Sequence, residues 1–304
     1  QEYAFLTHLW PGLVALDLLN QFLAWYRPQE RDPGQAERIY TYYCDRLISL
    51  TEQPIGSFLF ALFRSSSLVN KVIELVEEAS REYASLDHTN GRPERPSTVF
   101  LTGSMYTRID PFANQYLVRQ FNQRGMRVLL DPLAPLIEYL LEENSAEALQ
   151  LPTGAIDNGA AKLMVNRIRR RIYLSAQVLH PWLPGFGISK VLSAGSDIVD
   201  RYPVSESPVT IGAVLYAWGK KAYDGAVIVS PWGCNHALIS EALLRHQHHI
   251  PMLFLYTDGS PIDERRINDF IYKVQRSTSR RKPLASGKLS EGKVAQTGAA
   301  EIRA

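Results

Sequence analysis

The most constraining feature of this sequence is the short apolar run from Ala226 to Val229, which ends abruptly. A continuous β-branched run of this length is typical of a strand that is buried on both faces of a parallel sheet. Ser230 to Gly233 interrupt the pattern, and helical spacing resumes from Ala237 to His246. Cys234 therefore lies where the carboxyl end of a strand turns into a helix, the position at which open α/β sheets bind ligands.

The sequence leaves two interpretations of Cys234 open. Backbone N–H groups and the positive end of the following helix favour a thiolate at this position. The alternative is a small buried cysteine that only fills a turn. The other cysteine, Cys44, lies in a helical pattern where we expect core packing, and the two cysteines form no disulfide framework. This cysteine usage is compatible with a reducing cytoplasm.

Strands alternate with helices through the middle of the chain. The predicted strands and helices, in order, are strand 98–102, helix 112–124, strand 127–130, helix 134–149, strand 227–230, helix 237–246, strand 252–256 and helix 262–275. This alternation predicts βαβ units with right-handed crossovers. The expected fold class is α/β, with a Rossmann-like four-stranded parallel sheet that is flanked by helices.

The chain divides into three predicted parts. Residues 1–92 show helical spacing and are expected to form a helical region belonging to a preceding domain. Residues 93–275 form the Rossmann-like domain, with a helical insertion at about 150–222. Residues 276–304 hold seven Lys or Arg and two Glu with few large apolar groups, so we expect a disordered basic tail. We expect a solvated terminus there, and nucleic acid is not an expected partner.

Two details of these parts are also predictions. Phe58 to Phe63 and Val69 to Val76 indicate two separate helices, and Lys190 to Gly195 indicates a loop or a short strand. A helix over Ala160 to Leu179 carries a basic face, which we expect to be solvated unless it meets a phosphate-bearing ligand. The arginines of that face are Arg167, Arg169, Arg170 and Arg171.

The composition is that of a globular protein outside membranes. Hydrophobic residues make up 45% and charged residues 21% of the 304 residues. We find no apolar run long enough to span a bilayer and no secretory signal, so we expect a cytoplasmic protein. The first residue is Gln1, and we expect the chain to be a fragment of something longer.

Several motifs together resemble those of the 2-hydroxyacyl-CoA dehydratase superfamily. The resemblance covers about residues 10 to 275 and is strongest to the dehydratase-like portion of activase-fused and double-cubane-cluster relatives. The motifs that carry it are Arg27-Pro-Gln-Glu30, Gly103-Ser-Met-Tyr-Thr-Arg-Ile-Asp-Pro-Phe-Ala-Asn114, Arg124-Gly-Met-Arg-Val128, Ser230-Pro-Trp-Gly-Cys234 and Thr257-Asp258.

The resemblance implies an iron–sulfur cluster and low-potential electron transfer. In such relatives the cysteine after the third strand is a cluster ligand, and that role carries over to Cys234 alone. Such relatives use an ATP-driven activase, as a domain or a partner, to support reductive dehydration of a CoA thioester in homo- or hetero-oligomers. This chain departs from the pattern because other loops add no cysteines, Ser104 replaces Glu, and Asn235-His236 replaces Met-Pro.

The carboxyl ends of the predicted strands should meet in one site. Gly103 and Gly233 permit close backbone approach to a bulky group. Arg108 either holds an anion or pairs with Asp110 or another surface acid. His236 is a metal ligand, a proton shuttle or a residue with a surface or capping role. The predicted cofactor-binding residues are Gly103, Ser104, Arg108, Pro231, Gly233 and Cys234, with Cys234 as the metal ligand.

Three functional hypotheses follow from these residues. The chain is the cluster-binding part of a dehydratase-related enzyme, an electron-transfer or regulatory relative with a cluster, or a cluster-less interaction module on the same fold. Retention of Cys234 favours the first two, and the scarcity of cysteines favours the third. The sequence has no GxxxxGK[ST] run, so an activase half would have to precede Gln1.

The histidines at 246, 248 and 249 are expected to be the polar end of a helix.

Overall fold

A four-stranded, all-parallel sheet forms the centre of the chain. The computed structural model describes residues 2–52, 58–86, 96–142, 158–199 and 206–280. The sheet has the order β2-β1-β3-β4, and its strands are β1 (Thr98–Gly103), β2 (Arg127–Leu130), β3 (Gly225–Pro231) and β4 (Met252–Thr257). The predicted α/β class and the parallel sheet are therefore confirmed.

Helices cover both faces of this sheet and one of its edges. Within the described ranges they are α1 (Glu2–Tyr26), α2 (Gln35–Thr51), α3 (Phe58–Ser85), α4 (Met105–Ile109), α5 (Leu117–Gln123), α6 (Ala134–Glu142), α7 (Asn158–Gln177), α8 (Ile188–Gly195), α9 (Ser207–Gly219), α10 (Asn235–Leu244) and α11 (Glu264–Arg280). None of the helices in the described ranges is long and apolar enough to cross a membrane. Residues 281–304, most of the predicted disordered tail, lie outside the described residues.

The order of the strands places a crevice between β1 and β3. The chain leaves β1 for β2 on one side and returns to β3 on the other side. Gly103, the last residue of β1, is paired with Val229 of β3. In open parallel sheets the crevice at such a reversal of strand order is the usual ligand site.

The N-terminal helices pack directly against the β2 edge. The side chain of Gln21 in α1 pairs with both backbone groups of Leu130: its Nε2 donates to the carbonyl oxygen and its Oε1 accepts the N–H at 3.2 Å. Asn122 of α5 donates from Nδ2 to the carbonyl oxygen of Ala24 at 3.0 Å. The bonds of Gln21 satisfy groups at the β2 edge, and the bond of Asn122 satisfies a carbonyl oxygen in the last turn of α1.

Three of the local predictions were wrong. Residues 58–85 form one continuous helix, α3, and not two. Lys190 to Gly195 belongs to a helix, α8. This helix packs closely on α9, because a Cβ on Gly212 of α9 would lie only 2.2 Å from the carbonyl oxygen of Val191 in α8. A short apolar run does not by itself distinguish helix from strand, which explains this difference.

The third difference concerns the helix predicted over 112–124, which begins only at Leu117. A turn precedes it, with Gln115 and Tyr116 at positive φ angles of 53° and 59°. Asn114 holds this turn, since its Oδ1 accepts the N–H of Leu117 at 3.1 Å. Tertiary hydrogen bonds thus override the helical spacing of the sequence here.

The basic face of α7 is only partly solvated. Arg169 is buried, and its Nε donates to Oε1 of Glu138 at 2.6 Å. The expectation of a solvated side chain was therefore wrong for Arg169, because α6 packs against that side of α7. Arg167, Arg170 and Arg171 are exposed, as expected.

Candidate functional site

The loop after β3 presents Cys234 at the start of a ten-residue helix. Gly233 has a positive φ of 77°, which allows the tight turn between strand and helix. The N–H of Cys234 donates to the carbonyl oxygen of Pro231 at 3.2 Å, and the N–H of Trp232 donates to Thr257 of β4 at 3.0 Å. Cys234 is the N-cap residue of α10 and is half-buried. Its sulfur is therefore held at the carboxyl edge of the sheet.

An imidazole and a carboxylate lie next to this sulfur. The Sγ atom of Cys234 is 2.9 Å from Nδ1 of His236, and Nε2 of His236 is 3.8 Å from Oε2 of Glu206. His236 is 7% exposed, so the surface role that we considered for it is wrong. Glu206 and the start of α9 lie against His236, and Oγ of Ser207 donates to the carbonyl oxygen of His236 at 3.2 Å.

The surroundings of His236 favour a neutral ring. Burial is the main cause that lowers the pKa of His236, and the positive charge of Arg108 lowers it further, whereas Glu206 raises it. In a neutral ring only one nitrogen carries a proton. If the thiol of Cys234 donates to Nδ1, the N–H at Nε2 faces Glu206, and both contacts are favourable. This arrangement orients the ring between the thiol and the carboxylate.

Arg108 lies beneath the crevice in a buried ion pair. Its Nη1 donates to Oδ2 of Asp131 at 2.5 Å, and both side chains are at most 3% exposed. Oγ1 of Thr102 donates to the same Oδ2 at 2.6 Å. Burial raises the pKa of Asp131, although the charge of Arg108 acts in the opposite direction. Asp131, directly after β2, is therefore bonded both to α4 through Arg108 and to the end of β1 through Thr102.

The salt bridge of Arg108 to Asp110 or another surface acid, one of the two alternatives that we considered, was wrong. Its guanidinium reaches neither Asp110 nor a surface acid but the buried Asp131, so Nη1 is already used by an internal anion. Asp110 instead holds the turn before α5, where its Oδ1 accepts the N–H of Ala113 at 2.7 Å. The reason is topological, since the ends of β1 and β2 are adjacent in the sheet.

The structure brings the predicted site residues to one edge. Gly103 has a φ of 127°, and the N–H of Ser104 donates to the carbonyl oxygen of Val229 at 3.0 Å. Ser104 is therefore joined to the strand that leads to Pro231, Gly233 and Cys234. Five of the six predicted cofactor-binding residues lie around the crevice between β1 and β3, and the sixth, Arg108, lies beneath it.

Other candidate donors are distant from the crevice or solvated. α10 ends at Leu244, so His246, His248 and His249 follow the helix as exposed residues and do not form its end. Cys44 is half-buried on α2 and packs against the N-terminal core, as expected. In the part of the chain that the structure describes, no three His, Cys, Asp or Glu side chains are grouped so that they would hold a metal ion.

Sequence reasoning missed Asp17, a residue of α1 that is buried against the start of α6. Its carboxylate accepts the N–H groups of Leu133 at 3.0 Å and Ala134 at 2.8 Å. Burial raises the pKa of Asp17 to about 6, although the two N–H bonds and Arg108 lower it. A lone carboxylate in the apolar stripe of α1 was the signal that the sequence offered.

We expect Asp17 to make the stability of the chain depend on pH. Its folded pKa of about 6 exceeds the ordinary value of 3.8, so folding is favoured by its protonation. The contribution is present below about pH 4 and is lost as the pH rises through 6. Between pH 4 and 7 the free energy of unfolding, relative to Asp17→Asn, should fall by about 2 kcal/mol. Urea denaturation of both proteins measures this difference, and parallel pH profiles would contradict it.

The comparisons with known proteins found no relative of this chain. No family model, no curated protein and no solved structure matches it. The geometry of the carboxyl edge is therefore the main evidence about function.

Proposed function

We propose that this chain is a cluster-associated component related to the 2-hydroxyacyl-CoA dehydratases, in which Cys234 supplies one thiolate to an iron–sulfur cluster. The single observation that supports this proposal most is the position of Cys234. Its half-buried sulfur lies at the N-terminus of α10, beside the crevice between β1 and β3. The resemblance adds the role, which is low-potential electron transfer in support of reductive dehydration of a CoA thioester.

The residues of this chain fit one ligand position and not a complete cluster. Cuboidal clusters are normally held by several thiolates. The sequence has two cysteines, and Cys44 belongs to the N-terminal core. We therefore propose that the remaining ligands come from outside this chain, from a partner chain, an activase domain or small thiols.

The chain contributes a prearranged environment for a thiolate. The first N–H groups of a helix have no partner within the helix, and together with the helix dipole they favour negative charge nearby. His236 lies against the sulfur at 2.9 Å, where its Nδ1 can accept a hydrogen bond from the thiol. Gly233 leaves the turn without a side chain beside Cys234. Together these groups orient one sulfur toward the crevice.

The experiment is anaerobic reconstitution with ferrous iron, sulfide and dithiothreitol, which supplies the missing thiolates. After desalting, we expect wild-type protein and Cys44→Ser to retain iron and sulfide, and Cys234→Ser to lose at least nine-tenths of both. Cys44→Ser is the matched control because it removes the other thiol. Wild-type protein without iron, or equal iron in Cys234→Ser, would overturn the cluster proposal.

A specific observation favours a second candidate, an interaction module without a cluster. α4 and the loop after it expose large apolar side chains at the carboxyl edge, and Trp232 does the same after β3. Exposed apolar groups that are gathered in one area mark interaction sites. The exposed fractions are Met105 39%, Tyr106 61%, Ile109 47%, Phe112 81% and Trp232 74%.

The second candidate predicts self-association or partner binding that needs no iron. Sedimentation velocity of iron-free protein over a range of concentrations tests the self-association. We expect Phe112→Ser to weaken it, because Phe112 is the most exposed of these side chains. Monomeric behaviour of wild-type protein at every concentration would count against self-association through this face.

A further inference from the structure

We propose that a cleft between the N-terminal helices and the β1–β2 edge is a binding site for a small organic monocarboxylate. The cleft has a volume of about 880 Å³, within the range of small-molecule sites. Cys234 does not line it, so the inference is independent of the proposed cluster. Its walls come from α1, the segment before α2, the α4–α5 turn and the ends of β1 and β2.

The roof of this cleft is held in place by charged side chains. Both carboxylate oxygens of Glu30 accept backbone N–H groups, from Gly34 and from Ala36, at 2.9 Å each. Arg27 forms an ion pair with Glu37 across the same segment. Hydrogen bonds and an ion pair within this part of the chain therefore hold the segment before α2 in place. The cleft is thus formed without a ligand.

The floor of the cleft contains the buried carboxylates already described. Asp17 caps α6, and Asp131 is paired with Arg108. The carboxylates of Glu37 and Asp131 are thus paired with arginines, and those of Glu30 and Asp17 accept backbone N–H groups, so each of the four already has a partner inside the protein. Any ligand must then be bound by the side chains on the walls.

Arg119 and Asn20 are among the wall side chains that are open to a ligand. Arg119 of α5 is exposed, and Asn20 of α1 is half-buried; both line the cleft. Among the described residues neither side chain has a hydrogen bond or an ion pair. Arg119 therefore offers a cation and Asn20 an amide, and Leu23, Ala24 and Val118 provide apolar surface between the polar groups.

This combination selects the charge of the ligand. Four carboxylates and three guanidinium groups line the cleft, and of these three the guanidinium of Arg119 has no counter-ion among the residues that the structure describes. A dianionic phosphate would be repelled by the surrounding carboxylates, whereas a monoanion is neutralised by the one open arginine. An apolar body suits the remaining wall. A carboxylate that is attached to an aromatic or aliphatic group meets these requirements.

The probe is 2-naphthylacetate, and its amide is the chemical control. Because 2-naphthylacetate is small, we expect it to bind with a Kd on the order of 1 mM, measured by ligand-detected NMR. The amide should bind at least fivefold more weakly because it lacks the negative charge. No saturation transfer to 2-naphthylacetate at 5 mM, or equal binding of acid and amide, would overturn the proposal.

Variants locate the binding. Arg119→Ala and Asn20→Ala should each weaken 2-naphthylacetate binding by roughly fivefold or more. The matched control is Arg167→Ala, which removes an exposed arginine of α7 outside the cleft and should leave binding unchanged. Cys234→Ala should also bind normally, which separates this proposal from the proposed cluster. Equal binding by Arg119→Ala and Arg167→Ala, or lost binding in Cys234→Ala, would contradict the cleft as the site.

Discussion

Asp131→Asn is expected to destabilise the folded chain by about 3 to 5 kcal/mol. The substitution keeps the shape of the side chain but leaves Arg108 buried without its counter-ion. The guanidinium is 3% exposed, so water cannot solvate the remaining charge. The Thr102 hydroxyl also loses its charged acceptor. Chemical denaturation at pH 7 measures the loss.

Two further variants separate the charge from the packing. In Arg108→Met/Asp131→Leu both charges are gone, and the buried volume is retained. Such replacements are often neutral or stabilising, so we expect most of the loss to be recovered. Asp263→Asn breaks the exposed pair with Arg265 and should have no measurable effect. If Asp131→Asn lost no more stability than Asp263→Asn, the buried pair would not have the importance that we assign to it.

The sheet was predictable because its signals are local. Each strand is a short apolar run that is bounded by Gly, Pro or polar residues, and the run over Arg127 to Leu130 coincides with β2. Parallel strands that are buried on both faces need such continuous runs. The position of Cys234 was predictable for the same reason, since Gly233 marks the boundary between β3 and α10.

The contacts of the site were not predictable because they are formed by distant parts of the chain. His236 is buried by Glu206 and Ser207, which lie about thirty residues earlier and outside any motif that we recognised. Arg108 on α4, just after β1, finds Asp131, just after β2, only because the sheet places these two strands side by side. Periodicity assigns residues to helices and strands, but it does not indicate which polar side chains meet.

The cleft illustrates the same limit. Asp17, Arg119 and Asn20 come from two helices whose spacing predicts only apolar and solvated faces. Their meeting depends on how α1 packs against the β2 edge, through the hydrogen bonds of Gln21 and Asn122. A cleft between two packed units is a property of their arrangement, and no single segment encodes it.

Gly103→Ala is expected to destabilise the chain by roughly 3 kcal/mol or more, or to prevent folding. A Cβ on Gly103 would lie 2.0 Å from the carbonyl oxygen of Val229, far inside the contact distance. That oxygen belongs to the neighbouring strand and accepts the N–H of Ser104, so it cannot move without breaking the end of the sheet. The φ of 127° adds strain for any residue with a side chain.

Gly125→Ala is the matched control for this prediction. Gly125 also has a positive φ, 74°, but a Cβ there would meet nothing within 4 Å. Its substitution should cost only about 1 kcal/mol of backbone strain. The difference between the two variants in chemical denaturation therefore measures the overlap at the β1–β3 crevice. Equal losses would mean that the strands can separate at this point, and the crevice would then be too pliable to hold Cys234 and Ser104 in a fixed relation.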